Sequence, residues 1–141
     1  MNEFVSFVVA GVVTGSIYAV TASGLVVTYK STGVFNFAHG AVGMVMAYLY
    51  WQLWQGWGWN PVLSLAVVLL VVAPLFALAV ERVLMRPLYG AALSTMIVVT
   101  LGLFLVLYGL VSTVWDQTIT RNLPEWFEGD QVGVLGVNLT Y

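Results

Sequence analysis

The few charged residues of the chain leave three long stretches without any: residues 4–29, 31–80 and 87–115. Backbone groups inside a bilayer find no water, so such stretches must close their hydrogen bonds internally, as helices or as a barrel. A barrel alternates apolar and polar positions over short strands. Runs such as Val67-Val68-Leu69-Leu70-Val71-Val72 do not alternate. The pattern therefore predicts an all-α integral membrane protein with about four crossings. They run from about Phe4 to Thr28, His39 to Trp54, Pro61 to Val80 and Ser94 to Trp115. Trp57, Asn60 and Pro61 mark the turn between the second and third. On this reading residues 1–115 form a transmembrane domain and 116–141 an external polar loop. Val132 to Leu139, broken by Gly133 and Gly136, has the pattern of a small hairpin.

Composition sharpens the class. Hydrophobic residues make up 61% of the 141 and charged ones only 7%, whereas a soluble domain carries about a quarter charged residues. Four Lys+Arg against six Asp+Glu give a net charge of −2, which excludes a phosphate-binding basic surface and with it a nucleic-acid binder. There is no cysteine and a single histidine, so thiolate chemistry and a multi-histidine metal site are excluded within the chain, and no cofactor is implied. The acidic start Met1-Asn2-Glu3 and the length of the first apolar run argue against a cleaved signal peptide.

The charges also orient the chain. Lys30 lies between crossings one and two, and Glu81, Arg82 and Arg86 between three and four. Basic residues stay on the cytoplasmic side, which puts both loops inside and the N-terminus and the 116–141 loop outside. Trp51, Trp54, Trp57, Trp59, Trp115 and Trp126 all fall at the expected outer boundary, where an indole sits half dry and half wet.

Gly11, Gly15, Ala19 and Ser23 recur every four residues and lay a ladder of small side chains along one face of the first helix. Helices in lipid associate through close backbone approach, so this face is expected to pack tightly. The segment Ser31-Thr32-Gly33-Val34-Phe35-Asn36-Phe37-Ala38-His39-Gly40 is uncharged yet polar. It reads either as an inner loop or as a broken helix dipping into the membrane, since the second crossing is short for a bilayer. Non-helical backbone at depth lines protein or a water-filled path. Asn36 and His39 are the candidates for lining such a path. A lone histidine is more often a cap or packing group than a proton carrier, and no intramembrane acid is placed to relay its proton. Glu81 reads as part of an inner-face charge cluster with Arg82 and Arg86. The chain has no GxxxxGK[ST], GxSxG or HExxH pattern, so neither ATP hydrolysis nor bond cleavage is expected of it.

Two blocks carry a family resemblance. Gly15-Ser16-Ile17-Tyr18-Ala19, Gly24-Leu25-Val26 and Thr32-Gly33-Val34-Phe35-Asn36-Phe37-Ala38-His39-Gly40 form the first. Glu81-Arg82-Val83-Leu84-Met85-Arg86-Pro87-Leu88 and Thr100-Leu101-Gly102-Leu103 form the second. In this order and frame the chain resembles branched-chain amino acid ABC transporter permeases of the LivH type. The resemblance implies an inner-membrane importer subunit that translocates hydrophobic amino acids. Its implied partners are a second permease subunit, cytoplasmic ATP-binding subunits and a periplasmic substrate-binding protein. Family members are considerably longer, so it also implies the N-terminal half of a longer permease. Where some members have an acid after the His-Gly pair, this chain has Ala41. The rival readings are a small membrane scaffold without a transport path and half of a secondary transporter, the latter disfavoured by the missing buried acid.

Overall fold

The computed structural model describes residues 2–122 and the strands Val132–Val134 and Val137–Leu139. Trp126 and the acidic residues Glu125, Glu128 and Asp130 of the expected external loop lie outside the described residues. The chain divides into two units, Met1–Gly24 with Leu123–Tyr141, and Leu25–Asn122.

Helix α1 spans Asn2–Thr32, and its first part belongs to the first unit. Its hydroxyls bond back to the helix that carries them: Ser16 to the Val13 carbonyl at 2.6 Å, Thr21 to Ile17 at 3.0 Å and Ser23 to Val20 at 2.7 Å. That removes the cost of placing them in lipid, because each donor is already satisfied. The expected hairpin is present: β1 (Val132–Val134) pairs antiparallel with β2 (Val137–Leu139), Val132 opposite Leu139.

The second unit begins with the last turns of α1. Gly33, at φ 69°, ends the helix, and its N–H bonds the Tyr29 carbonyl at 2.8 Å. This is a left-handed cap, which glycine enters without a Cβ penalty. Helix α2 (His39–Trp51) widens into a π-helical turn at Gln52–Gly56. The chain reverses through Gly58, at φ 70°, to Asn60, whose Oδ1 accepts from the N–H groups of Val62 at 2.9 Å and Leu63 at 3.4 Å. With Pro61 in the first helical position, this is a strong helix start. Helix α3 (Pro61–Val67), a π turn (Val68–Val72), α4 (Ala73–Val80), a second π turn (Glu81–Met85) and a short 3₁₀ turn (Arg86–Leu88) follow as one rod. Helix α5 (Leu93–Val114) follows a turn at Gly90.

The π turns have a local cause in the rod. Pro74 and Pro87 cannot donate to the preceding turn, and their rings crowd the carbonyl four residues back. A wide turn just before each proline, closed by Ala73 N–H to the Val68 carbonyl and Arg86 N–H to the Glu81 carbonyl, takes up the mismatch. The rod thus runs through Glu81, Arg82 and Arg86 to Leu88, beyond the expected end at Val80.

Among the described residues, three helices are long and apolar enough to cross a membrane: Phe7–Thr32, Pro61–Leu88 and Leu93–Val114. The second expected crossing is not among them. From His39 to Gly56 it reaches about 27 Å at the 1.5 Å rise per residue, against a hydrocarbon core of about 30 Å. Within the second unit α2 packs on α5 and on the first π turn of the rod. Ala41, Val45, Met46 and Tyr50 of α2 meet Val68, Leu107, Val111 and Trp115 in one buried cluster. A second cluster joins Val34 to Met85 and Leu88.

Candidate functional site

The connection between α1 and α2 is the unusual segment of the sequence, and it is a non-helical link over residues 33–38. Its side chains alternate. Val34 (1% exposed), Asn36 (8%) and Ala38 (0%) turn inward, while Phe35 (38%) and Phe37 (42%) turn outward. Asn36 organises the link. Its Oδ1 accepts the Ala38 N–H at 3.0 Å and its carbonyl accepts the His39 N–H at 3.2 Å. Asparagine's short carboxamide suits such a local turn. Thr32 ties the other end, donating to the Thr28 carbonyl at 2.8 Å and accepting the Val34 N–H at 3.2 Å. Outside, the Phe35 ring lies 6.2 Å from Tyr29 and 4.9 Å from Phe37. His39 is the first, half-buried residue of α2.

Val34 packs with Met85 and Leu88, so the link sits against the arginine-bearing end of the rod. Arg82 and Arg86 are exposed there. Glu81 accepts a hydrogen bond from the Tyr89 hydroxyl. That bond to a carboxylate, with a smaller contribution from desolvation, pushes the Tyr89 hydroxyl above its ordinary pKa, and Arg86 opposes the shift. Lys30 is exposed one turn before the link. On the small-residue ladder of α1, a Cβ added at Gly11 or Gly15 would meet nothing within 4 Å among the described residues.

The opposite end carries a polar assembly that sequence reading missed. Trp115 donates its indole N–H to Gln52 Oε1 at 3.0 Å, and the Tyr48 hydroxyl donates to Gln117 Oε1 at 3.1 Å. The Gln117 amide donates to the carbonyls of Trp115 at 2.9 Å and Val111 at 3.3 Å, so it caps α5. The Arg121 guanidinium lies over Trp51 (4.8 Å to the ring centroid) and Tyr48 (5.3 Å). It also donates to the Asp116 carbonyl at 2.6 Å. Asp116 in turn accepts from the Thr118 N–H at 2.9 Å and hydroxyl at 2.7 Å. The available signal was the pair Tyr48 and Trp51, three apart on one helix face.

Among the described residues, neither end gathers a nucleophile, base and orienting group. What the second unit presents is a pair of apolar helical walls, a polar link at one end and an aromatic collar at the other. That is the make-up of a helical membrane component. The chain belongs to the family described as the branched-chain amino acid transport system permease component, which it matches over residues 7–136. Neither a curated protein nor a solved structure matches it.

Proposed function

We propose that the chain is a multi-pass permease subunit of an inner-membrane ABC importer for branched-chain amino acids. Its N-terminus and the 116–141 segment face outward, and Lys30, Arg82 and Arg86 face the cytoplasm. ATP-binding subunits supply the energy, a second permease subunit completes the path and a periplasmic binding protein delivers the substrate. The family match over residues 7–136 carries this reading. The apolar helices support it, because an apolar amino acid needs a weakly polar path and not a tight charged site. Asn36 and His39 belong to the path on this reading. Among the described residues, Asn36 is one of three buried polar side chains; Ser64 and Thr100 donate to carbonyls of their own helices, while the Asn36 Oδ1 accepts the Ala38 N–H of the link.

The test is uptake of radiolabelled leucine in cells lacking their own permease, with the ATP-binding and binding-protein partners co-expressed. Uptake dependent on this chain and on ATP is expected. Asn36→Ala and His39→Ala should lower uptake at unchanged membrane abundance. Abundant chain that restores no uptake of leucine, isoleucine or valine would refute the reading.

A further inference from the structure

We infer that the rod formed by α3 and α4 is jointed at Val68–Pro74, so that the arm below the joint tilts against the part of the rod held in the α2–α5 cluster.

Three observations converge on this joint. The first is its chemistry. The π turn Val68–Val72 replaces tight four-residue spacing with a wider turn, closed by Ala73 N–H on the Val68 carbonyl. Pro74 follows at once and contributes no N–H. Helix bends concentrate at prolines and at π turns, and here the two are adjacent. The second is anchoring. At the joint itself, Val68 is buried in the cluster shared with α2 and α5, and Val72, Ala73 and, just past Pro74, Phe76 pack against it. Below it, Met85 and Leu88 are buried in the other cluster, with Val80 and Leu84 packed against them. Between the anchors no residue of α4 is buried. The third is the near-independence of the anchors. Leu103 of α5 is the one apolar side chain, among the described residues, that packs on both clusters.

A rod buried at Val68 and again at Met85 and Leu88, only partly covered between them and with weakened backbone bonding at the first, bends there before it bends elsewhere. The half carrying Glu81, Arg82 and Arg86 can then tilt while the α2–α5 packing stays intact. The mechanical inference stands on the structure alone. Its use, coupling cytoplasmic motion to the path, rests on the permease reading.

The absence of native cysteine makes the test clean. Two spin-label pairs are compared in the full chain in lipid nanodiscs. One pair, Leu65→Cys with Leu78→Cys, uses exposed sites about 20 Å apart across the joint. The other, Val98→Cys with Leu110→Cys, uses exposed sites about 18 Å apart in unbroken α5 and reports that the chain is folded. The joint pair should give a broader or split distance distribution than the α5 pair. Pro74→Ala, which restores the missing N–H, should narrow it to the width of the α5 pair. A joint pair already as narrow as the α5 pair would overturn the inference, as would a breadth that Pro74→Ala leaves unchanged. Failure of leucine uptake with a flexible joint would strike only the permease reading.

Discussion

The indole of Trp115 hydrogen-bonds the side chain of Gln52 at 3.0 Å, joining residues 63 positions apart. One ends α5 and the other opens the π turn that extends α2. The bond closes the end of a helix pair whose buried contact is otherwise apolar side chains, and in lipid apolar contact is only marginally better than contact with acyl chains. Trp115→Phe keeps the ring and loses the donor. It should lower stability in detergent by about 1 kcal/mol, the usual worth of one hydrogen bond. Gln52→Leu combined with Trp115→Phe should cost less than the two singles together. Additive losses in that double-mutant cycle would show that the bond contributes nothing.

Gly33 ends α1 in the left-handed region at φ 69°, and a Cβ there would meet nothing within 4 Å. The whole cost of Gly33→Ala is therefore conformational, about 1–2 kcal/mol. Gly33→Asn should cost less, because asparagine tolerates that region. Thermal unfolding of the three proteins in one detergent tests the order glycine, asparagine, alanine. Alanine equal to glycine would mean that the cap is not held in this conformation.

How far these features were legible from the residues depends on their range. Pro61 after Asn60 marks a helix start by strictly local chemistry, and the structure begins α3 there. The uncharged run before Asp116 marks α5, whose bounds differ from the expected ones by a residue at each end. Glu81 and Arg82 mark the expected end of the third crossing, yet the helical rod continues through them to Leu88. A charge at a membrane boundary marks where lipid ends, not where helix ends. The Gln52–Trp115 bond and the Arg121 stack depend on which helices meet, and no local spacing encodes that. Asn36 stood out as an amide in an apolar segment, but its tie to the Ala38 N–H needed the turn to be seen.

Asp116 is an exposed carboxylate held below its ordinary pKa, first by the Thr118 backbone N–H, then by the Thr118 hydroxyl, with Arg121 adding attraction and desolvation opposing. A depressed folded-state pKa means that the carboxylate's contribution is complete above the unfolded value. It fades as pH falls through the folded one, which confines the effect to below about pH 4. Thr118→Val removes the hydroxyl donor but keeps the backbone one. The Asp116 carboxyl, followed by carbon-13 NMR, should then titrate at higher pH than in the parent, though still below an ordinary aspartate. An unchanged titration would remove the hydroxyl from the account.

Sidedness follows from which groups share an end. Val34 packs on Met85 and Leu88, which brings the link after Lys30 to the end bearing Arg82 and Arg86. Gln52, Trp115 and Arg121 meet at the other end. Three of the four cations therefore sit together, and the fourth, Arg121, is engaged with two aromatic rings and two backbone carbonyls. Basic residues resist translocation, whereas aromatic rings settle at the headgroup level on either side, so the exposed cations decide the orientation. Single cysteines at Ala92 and Ile119, both exposed, sample the two ends without altering a charge. In intact cells with the outer membrane permeabilised, a membrane-impermeant maleimide should label Ile119→Cys and spare Ala92→Cys until the inner membrane is opened. The reverse pattern would invert the orientation and place the arginine end outside, where it could not meet a cytoplasmic ATP-binding partner.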